Sequence, residues 1–203
     1  MARPRRFDEQ ALLDCALEAF WVGGYDRTSI EDISVASGVG NGSIYAAYGS
    51  KLGLFLAVFN RYCDGRVHLV DGIVREHTDD FESTVAHYLD AIVADCTSYD
   101  DRRGCLMLNS LADLGSRFPE VVTVGSRTIS AMEKVIGDRV AATVASGEID
   151  LSVAEVEALS AHIVLVSQGL ISLSHVGVPR ARLSAIAATS SRMTSLLGAA
   201  GPR

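Results

Sequence analysis

The stretch TSIEDISVASGVGNGSIYAAYGSKLGLF, residues 28–55, decides the fold. Gly38, Gly40 and Gly42 alternate in it, as they would in a phosphate-cradling loop. A dinucleotide fingerprint needs a strand, then G-x-G-x-x-G, then a helix. Here the third glycine comes one place early, Ser43 stands in the required position, and the preceding SIEDISVAS is acidic and helix-periodic. No G-K-[ST] follows, which excludes a Walker loop. A helical reading explains more residues. Thr28 and Glu31 have the T-x-x-E spacing of a capping box. Ile30, Ile33 and Ala36 mark a buried side, and Gly38 suits the left-handed residue of a tight turn. A third short helix runs from Gly40 or Asn41 to Tyr48, with Val39 and Ile44 packing inward. Ser50-Lys51 opens a fourth, carrying Leu52, Phe55, Leu56 and Phe59. Two short helices across a tight turn make the helix-turn-helix pattern.

Upstream, residues 8–22 read as an amphipathic helix with Ala11, Leu12, Cys15, Ala16, Ala19 and Phe20 on one face. Asp8 caps it and Gly23-Gly24 stops it. Downstream of about residue 75 the predicted helices lengthen to 81–98, 104–115, 120–146, 152–176 and 180–198. Pro119 and Pro179 suit first turns, Ser152 and Glu155 form a second capping box, and Gly147 and Gly177 follow helix ends. The pattern contains no strand alternation and no repeat. The expected fold class is all-α: a small helix-turn-helix domain over residues 1–50 and a larger helical domain over residues 51–203.

The 203 residues are 48% hydrophobic and 21% charged, which excludes disorder and suffices for one or two packed cores. No apolar run reaches the roughly 20 residues that span a bilayer, and MARPRRFDEQ lacks the apolar stretch of a signal peptide. The expectation is a cytoplasmic chain with no membrane partner. Cys15, Cys63, Cys96 and Cys105 are scattered without a CxxC pair, as reduced packing thiols are. His68, His87, His162 and His175 form no i, i+4 metal pair, and no metal, cofactor or catalytic residue is expected. Net charge is −7, and residues 1–60 hold five basic side chains against seven acidic ones. Global charge therefore gives nucleic-acid binding no support. Position does: Arg3, Arg5 and Arg6 cluster at the start, where a basic arm reaches phosphates or a minor groove. The alternative for these three is a solubilising tail.

With the helix-turn-helix in place, Asn41, Ser43, Tyr45, Ala46 and Ala47 are left facing outward. A face without bulk or negative charge fits a major groove. At these residues the sequence resembles the TetR family of bacterial transcriptional repressors, whose motif runs T-x-x-x-I-A-x-x-A-G-V-S-x-G-[TS]-[LI]-Y-x-[HY]-F-x-[SG]-K-x-x-L. It matches at Thr28, Ile33, Ala36, Gly38, Val39, Gly42, Ser43, Ile44, Tyr45, Ser50, Lys51 and Leu54. The resemblance covers about residues 8–60. It departs at Gly40, where Ser is usual, and at Asn41, Ala47 and Leu52. The resemblance implies a ligand-responsive repressor, not an enzyme, whose partners are a double-stranded palindromic operator, a small-molecule effector and a second copy in a homodimer. It assigns Thr28, Ser43, Tyr45 and Lys51 to phosphates and places Asn41, Gly42 and Ala46 near base edges. The DNA-binding set is completed by Arg5, Arg6 and Tyr48, although Tyr48 is also placed to pack inside.

The resemblance also implies that residues 51–203 form a ligand-binding and dimerisation domain, with the last two helices joined across a two-fold axis. The dimer interface is then expected at Val166, Leu170, Leu173, Ile186, Ser190, Met193 and Leu197, unless these stripes face only their own core. Candidate ligand-binding residues are Tyr88, Cys105, Met107, Asn109, Phe118, His162 and Gln168. Cys105 opens a helix beside Arg102 and Arg103, a setting that favours thiolate. Two readings of Cys105 stand, a redox or electrophile sensor and a buried packing residue. Rival readings of the chain are a thiol enzyme using Cys105 with His87 or His162, and a ligand-binding module that no longer reads DNA.

Overall fold

The computed structural model describes residues 7–76 and 80–198, with side chains through residue 193. The described residues form nine helices: α1 Glu9–Gly23, α2 Ile30–Ser37, α3 Asn41–Tyr48, α4 Lys51–Glu76, α5 Phe81–Cys96, α6 Leu106–Leu114, α7 Pro119–Ala145, α8 Val153–His175 and α9 Arg180–Gly198. All-α architecture follows, and every predicted helix is present within two residues at each end.

Asp8 caps α1 by accepting from the Ala11 N–H at 3.1 Å, and Gly24 ends it at φ 77°. The buried face is Leu12, Ala16 and Phe20, while Ala11 is exposed. The capping box of α2 lies one residue later than expected. Ser29 and Asp32 make it, each side chain bonding the other's backbone N–H. Thr28 is occupied elsewhere: its buried hydroxyl faces the carbonyls of Ala19 and Gly24 at 3.0 and 2.8 Å and closes the α1–α2 turn. Ile30 and Ile33 are buried as expected, but Ala36 is exposed, because the eight-residue helix turns its next inward position to Ser37. Gly38 takes φ 71° at the turn, a region that costs other residues about 1–2 kcal/mol.

Helix α4 runs the length of one continuous core. Its first turns bury Leu54, Phe55, Val58 and Phe59 against α1 and α3, and its later turns bury Val70 and Val74 among α5 and α7. Phe55 stacks on Phe59 at 5.5 Å between ring centroids and meets Phe20 and Tyr25 edge-on at 5.3 and 5.2 Å. Such pairs add about 0.5–1.5 kcal/mol each beyond area burial.

Helices α5, α7, α8 and α9 build the rest of the core. No continuous apolar run occurs in α8, yet its 23 residues have a mean hydropathy of 1.5 over an 18-residue window, long and apolar enough to cross a membrane by length and composition. Ser160, Ser167, Ser172 and Gln168 interrupt any continuous apolar run and hide this from a reading by runs. In the fold α8 packs on α5, α7 and α9, and Ser160, Ser167 and Ser172 donate to carbonyls of their own helix.

Gly53 was not singled out in the sequence, yet it sets the angle between α3 and α4. A Cβ there would stand inside van der Waals contact with the Tyr48 carbonyl oxygen. Gly53→Ala is expected to push α3 off α4 and destabilise the fold by about 1–3 kcal/mol. Urea denaturation checks the stability, and near-ultraviolet circular dichroism checks whether tertiary packing survives.

Candidate nucleic-acid interface and effector cavity

The surface of α3 is built by one buried anchor. Ile44 is fully buried and Val39 nearly so, which turns Asn41, Gly42, Ser43, Tyr45 and Ala46 to solvent. Tyr45 is half exposed. Gly40 is the N-cap and supplies no side-chain hydrogen bond. Its carbonyl accepts from the N–H groups of Ser43 and Ile44, which leaves the Asn41 and Gly42 amides at an open helix N-terminus. That end carries partial positive charge and suits a phosphate. No acidic residue lies in α3, and the Val35 side chain of α2 stands 80% exposed beside it.

Other predicted DNA contacts also have partners within the chain. Thr28 has spent its hydroxyl proton on the α1–α2 turn. Tyr48 donates to Glu9 Oε1 at 2.9 Å and ties α3 to α1. Lys51 Nζ sits 3.4 Å from the Asp26 carbonyl and 4.4 Å from the centre of the Tyr25 ring. Arg5 and Arg6 lie outside the described residues. Hydrogen bonds from Ser29 hold the Asp32 carboxyl below the usual carboxylate range, so it stays charged at the start of α2.

Away from α3, four of the seven ligand candidates meet. Tyr88, Cys105, Met107 and Gln168 line one cavity of about 20 Å³ between α4, α5, α6, α7 and α8. The other three do not reach it. Asn109 lies in two open surface grooves and donates to the Arg103 carbonyl at 2.8 Å. Phe118 packs edge-on against Tyr25 at 5.4 Å. His162 is exposed on α8. Cys105 is buried at the N-cap of α6 and accepts from the Tyr62 hydroxyl at 3.4 Å. Burial, and then the neighbouring Cys105, push the Tyr62 hydroxyl well above the ordinary tyrosine range. Burial, helped by the neighbouring Cys105 and Asp64, pushes the Cys63 thiol up to about 12, which makes it inert packing.

Sequence reading missed Arg66, which enters the same cavity from α4 and pairs with Asp95 at 2.7 Å. A signal existed: Tyr62, Arg66 and Val70 follow at i+4 on the inward stripe of α4, where a charge is out of place. It named Arg103 only as a neighbour of Cys105 and did not single out Arg117, yet these two arginines flank α6 and grip the N-terminal helices. Before α6, Arg103 pairs with Glu18 of α1 at 2.6 Å and lies over the Tyr99 and Trp21 rings at 4.6 and 5.3 Å. After α6, Arg117 binds both carboxylate oxygens of Asp26 at 2.7 and 3.0 Å. With Arg103 so engaged, and Arg102 turned to the Val178 carbonyl, neither guanidinium has its hydrogen bonds at Cys105.

The outward stripes of α8 and α9 differ from those expected. Leu170 is buried in its own core, and Val166, Ile186 and Ser190 are half-buried. Leu173 and Met193 are exposed as an interface requires. Leu197 lies beyond the described side chains. Leu165 at 66% and Val176 at 75% are more exposed and were not expected. The reason is that α8 is apolar on nearly every side, so its periodicity could not select a face.

Residues 12–58 match the family described as "Bacterial regulatory proteins, tetR family". The chain is 30% identical over 191 residues to the HTH-type transcriptional repressor ComR of Escherichia coli (strain K12), covering 94% of this chain and 90% of that one. It is 29% identical over 139 residues to the HTH-type transcriptional repressor BdcR of the same organism, covering 68% of each. Among solved structures it resembles a cysteine variant of the TetR family regulator CifR in complex with 26 bp double-strand operator DNA, at a TM-score of 0.78 and 29% identity over 94% of this chain and 98% of that one. These relatives are regulators rather than enzymes, and the chain belongs to the TetR family of bacterial regulatory proteins.

Proposed function

We propose that this chain is a cytoplasmic transcriptional repressor that binds a palindromic operator as a homodimer and leaves it when a small molecule occupies the α4–α8 cavity. The observation that carries the reading is α3: an uncapped N-terminus and an outward face of Asn41, Gly42, Ser43, Tyr45 and Ala46 with no negative charge. In this reading the two open amides and the Tyr45 hydroxyl hold phosphates. Asn41 reads a base edge, where a bidentate pair with adenine discriminates by about 1–3 kcal/mol. ComR and BdcR are named as repressors, and CifR is seen on operator DNA. Both facts support the reading.

Release requires that the ligand prefer the conformation that does not fit DNA. The two arginine grips give the cavity a mechanical route to α3. Cys105 of the cavity is two residues from Arg103, and Arg103 holds α1 through Glu18. A shift of α6 therefore pulls on α1, and α1 holds α3 through Glu9 and Tyr48. The dimer is assigned to the faces of α8 and α9 that present Leu165, Leu173, Val176 and Met193.

Two experiments test this. An operator is selected from random duplexes, and its affinity is measured against salt. Six to ten phosphate contacts predict a loss of roughly 10³- to 10⁵-fold between 50 and 200 mM salt. A flat dependence refutes DNA binding by this face. Tyr45→Phe is expected to weaken all duplexes alike by about tenfold, the worth of one charge-assisted hydrogen bond, whereas Asn41→Ala is expected to relax base preference. In the second, Leu165→Glu is expected to halve the mass seen by sedimentation equilibrium and to lower operator affinity. An unchanged dimer moves the interface off α8.

A further inference from the structure

Two polar side chains of the cavity wall, Arg66 and Gln168, make few hydrogen bonds within the fold. Arg66 has five N–H donors, yet its only hydrogen bond among the described residues runs from Nη1 to Asp95. The Gln168 carboxamide has no side-chain hydrogen bond among them, and both residues line the cavity. The remaining N–H groups of Arg66 have room for an acceptor inside the cavity. The salt-bridge partner does not fill that role. Asp95 is absent from the cavity wall and is 38% exposed, against 13% for Arg66. Water therefore screens the carboxylate while the guanidinium faces the interior.

The rest of the wall sets what fits. Tyr88 and Cys105 add a hydroxyl and a thiol to the wall, and Met107 and Met132 add flexible apolar surface. The space of about 20 Å³ has room for one water. A larger guest must displace side chains, and thioethers yield most readily because Met has three rotatable, unbranched bonds.

We propose that the effector of this cavity is a compact organic carboxylate, held at its oxygens by the guanidinium of Arg66 and the carboxamide of Gln168, with a short apolar body against Met107 and Met132. This rests on the reading of the cavity as the effector site. Planar fork geometry matches a carboxylate in two parallel bonds. Insertion of that head next to Cys105 opens the N-terminal end of α6, the end gripped to α1.

The test is isothermal titration of the full chain with benzoate and butyrate against benzamide and butyramide, with operator release followed in parallel by fluorescence anisotropy. The acids are expected to bind at least about tenfold more tightly than the amides, the worth of one charge-assisted hydrogen bond. In Arg66→Met the preference is expected to fall to near unity, and in Arg66→Lys to a value between. Should Arg66→Met fail to fold, the wild-type comparison of acid with amide decides alone, and Gln168→Leu is expected to lower affinity for both acids. The proposal is overturned if the amides bind as well as the acids, if a folded Arg66→Met keeps the preference, or if neither acid binds at about 10 mM, the range of the weakest specific ligands. Acids that bind without releasing the operator uphold the carboxylate site and overturn ligand-driven release. Release by the amides but not the acids overturns the carboxylate site and leaves ligand-driven release standing.

Discussion

Lys51–Glu76 is a single uninterrupted helix, and its two ends are buried in different surroundings. Phe55 and Phe59 bind it to Phe20 and Tyr25 at the α1 end, while Val70 and Val74 fix it among the later helices. A helix of this length is stiff, so neither end moves without the other. The orientation of α3 depends on it through Gly53, where the absence of a side chain lets α4 come up against the Tyr48 carbonyl. The cavity depends on it too, because Tyr62 and Arg66 enter from its middle turns.

The arginine grips are a second connection, made of charge rather than apolar surface. Arg103 and Arg117 stand on either side of α6, and each reaches an acidic residue of α1 or the turn after it. Exposed pairs of this kind contribute little to stability. Their use lies in geometry: a bidentate guanidinium fixes distance and angle. The side chain of Arg103 is mostly covered, by Trp21 and Tyr99 among others, which makes it the more rigid of the two. The α6 helix is thus tied at both ends to the part of the chain that presents α3, and a cavity wall is also a link to the DNA-facing surface.

Much of the fold was legible locally. Helix periodicity, caps and punctuating glycines placed each helix, because those signals act over three or four residues. The errors were also local in cause. Thr28 and Ser29 both look like caps, and only the position of the Ala19 and Gly24 carbonyls decides which hydroxyl is used for the turn. Of the ligand candidates, those on inward helix faces met in the cavity, and those on α6 and α8 that faced outward did not.

The sequence by itself determined the helix-turn-helix. Residues 28–55 contain the turn glycine, the inward Ile44 and the small outward residues, all within a span where neighbours in the chain are neighbours in space. Only the tertiary structure decided which face of α8 is outward, that Arg66 rather than a histidine brings charge to the cavity, and that Arg103 and Arg117 clasp α1 and its turn. Each of these depends on residues dozens of positions apart, and the long apolar helices that bring them together are too uniform around their circumference for periodicity to say which side will meet which partner.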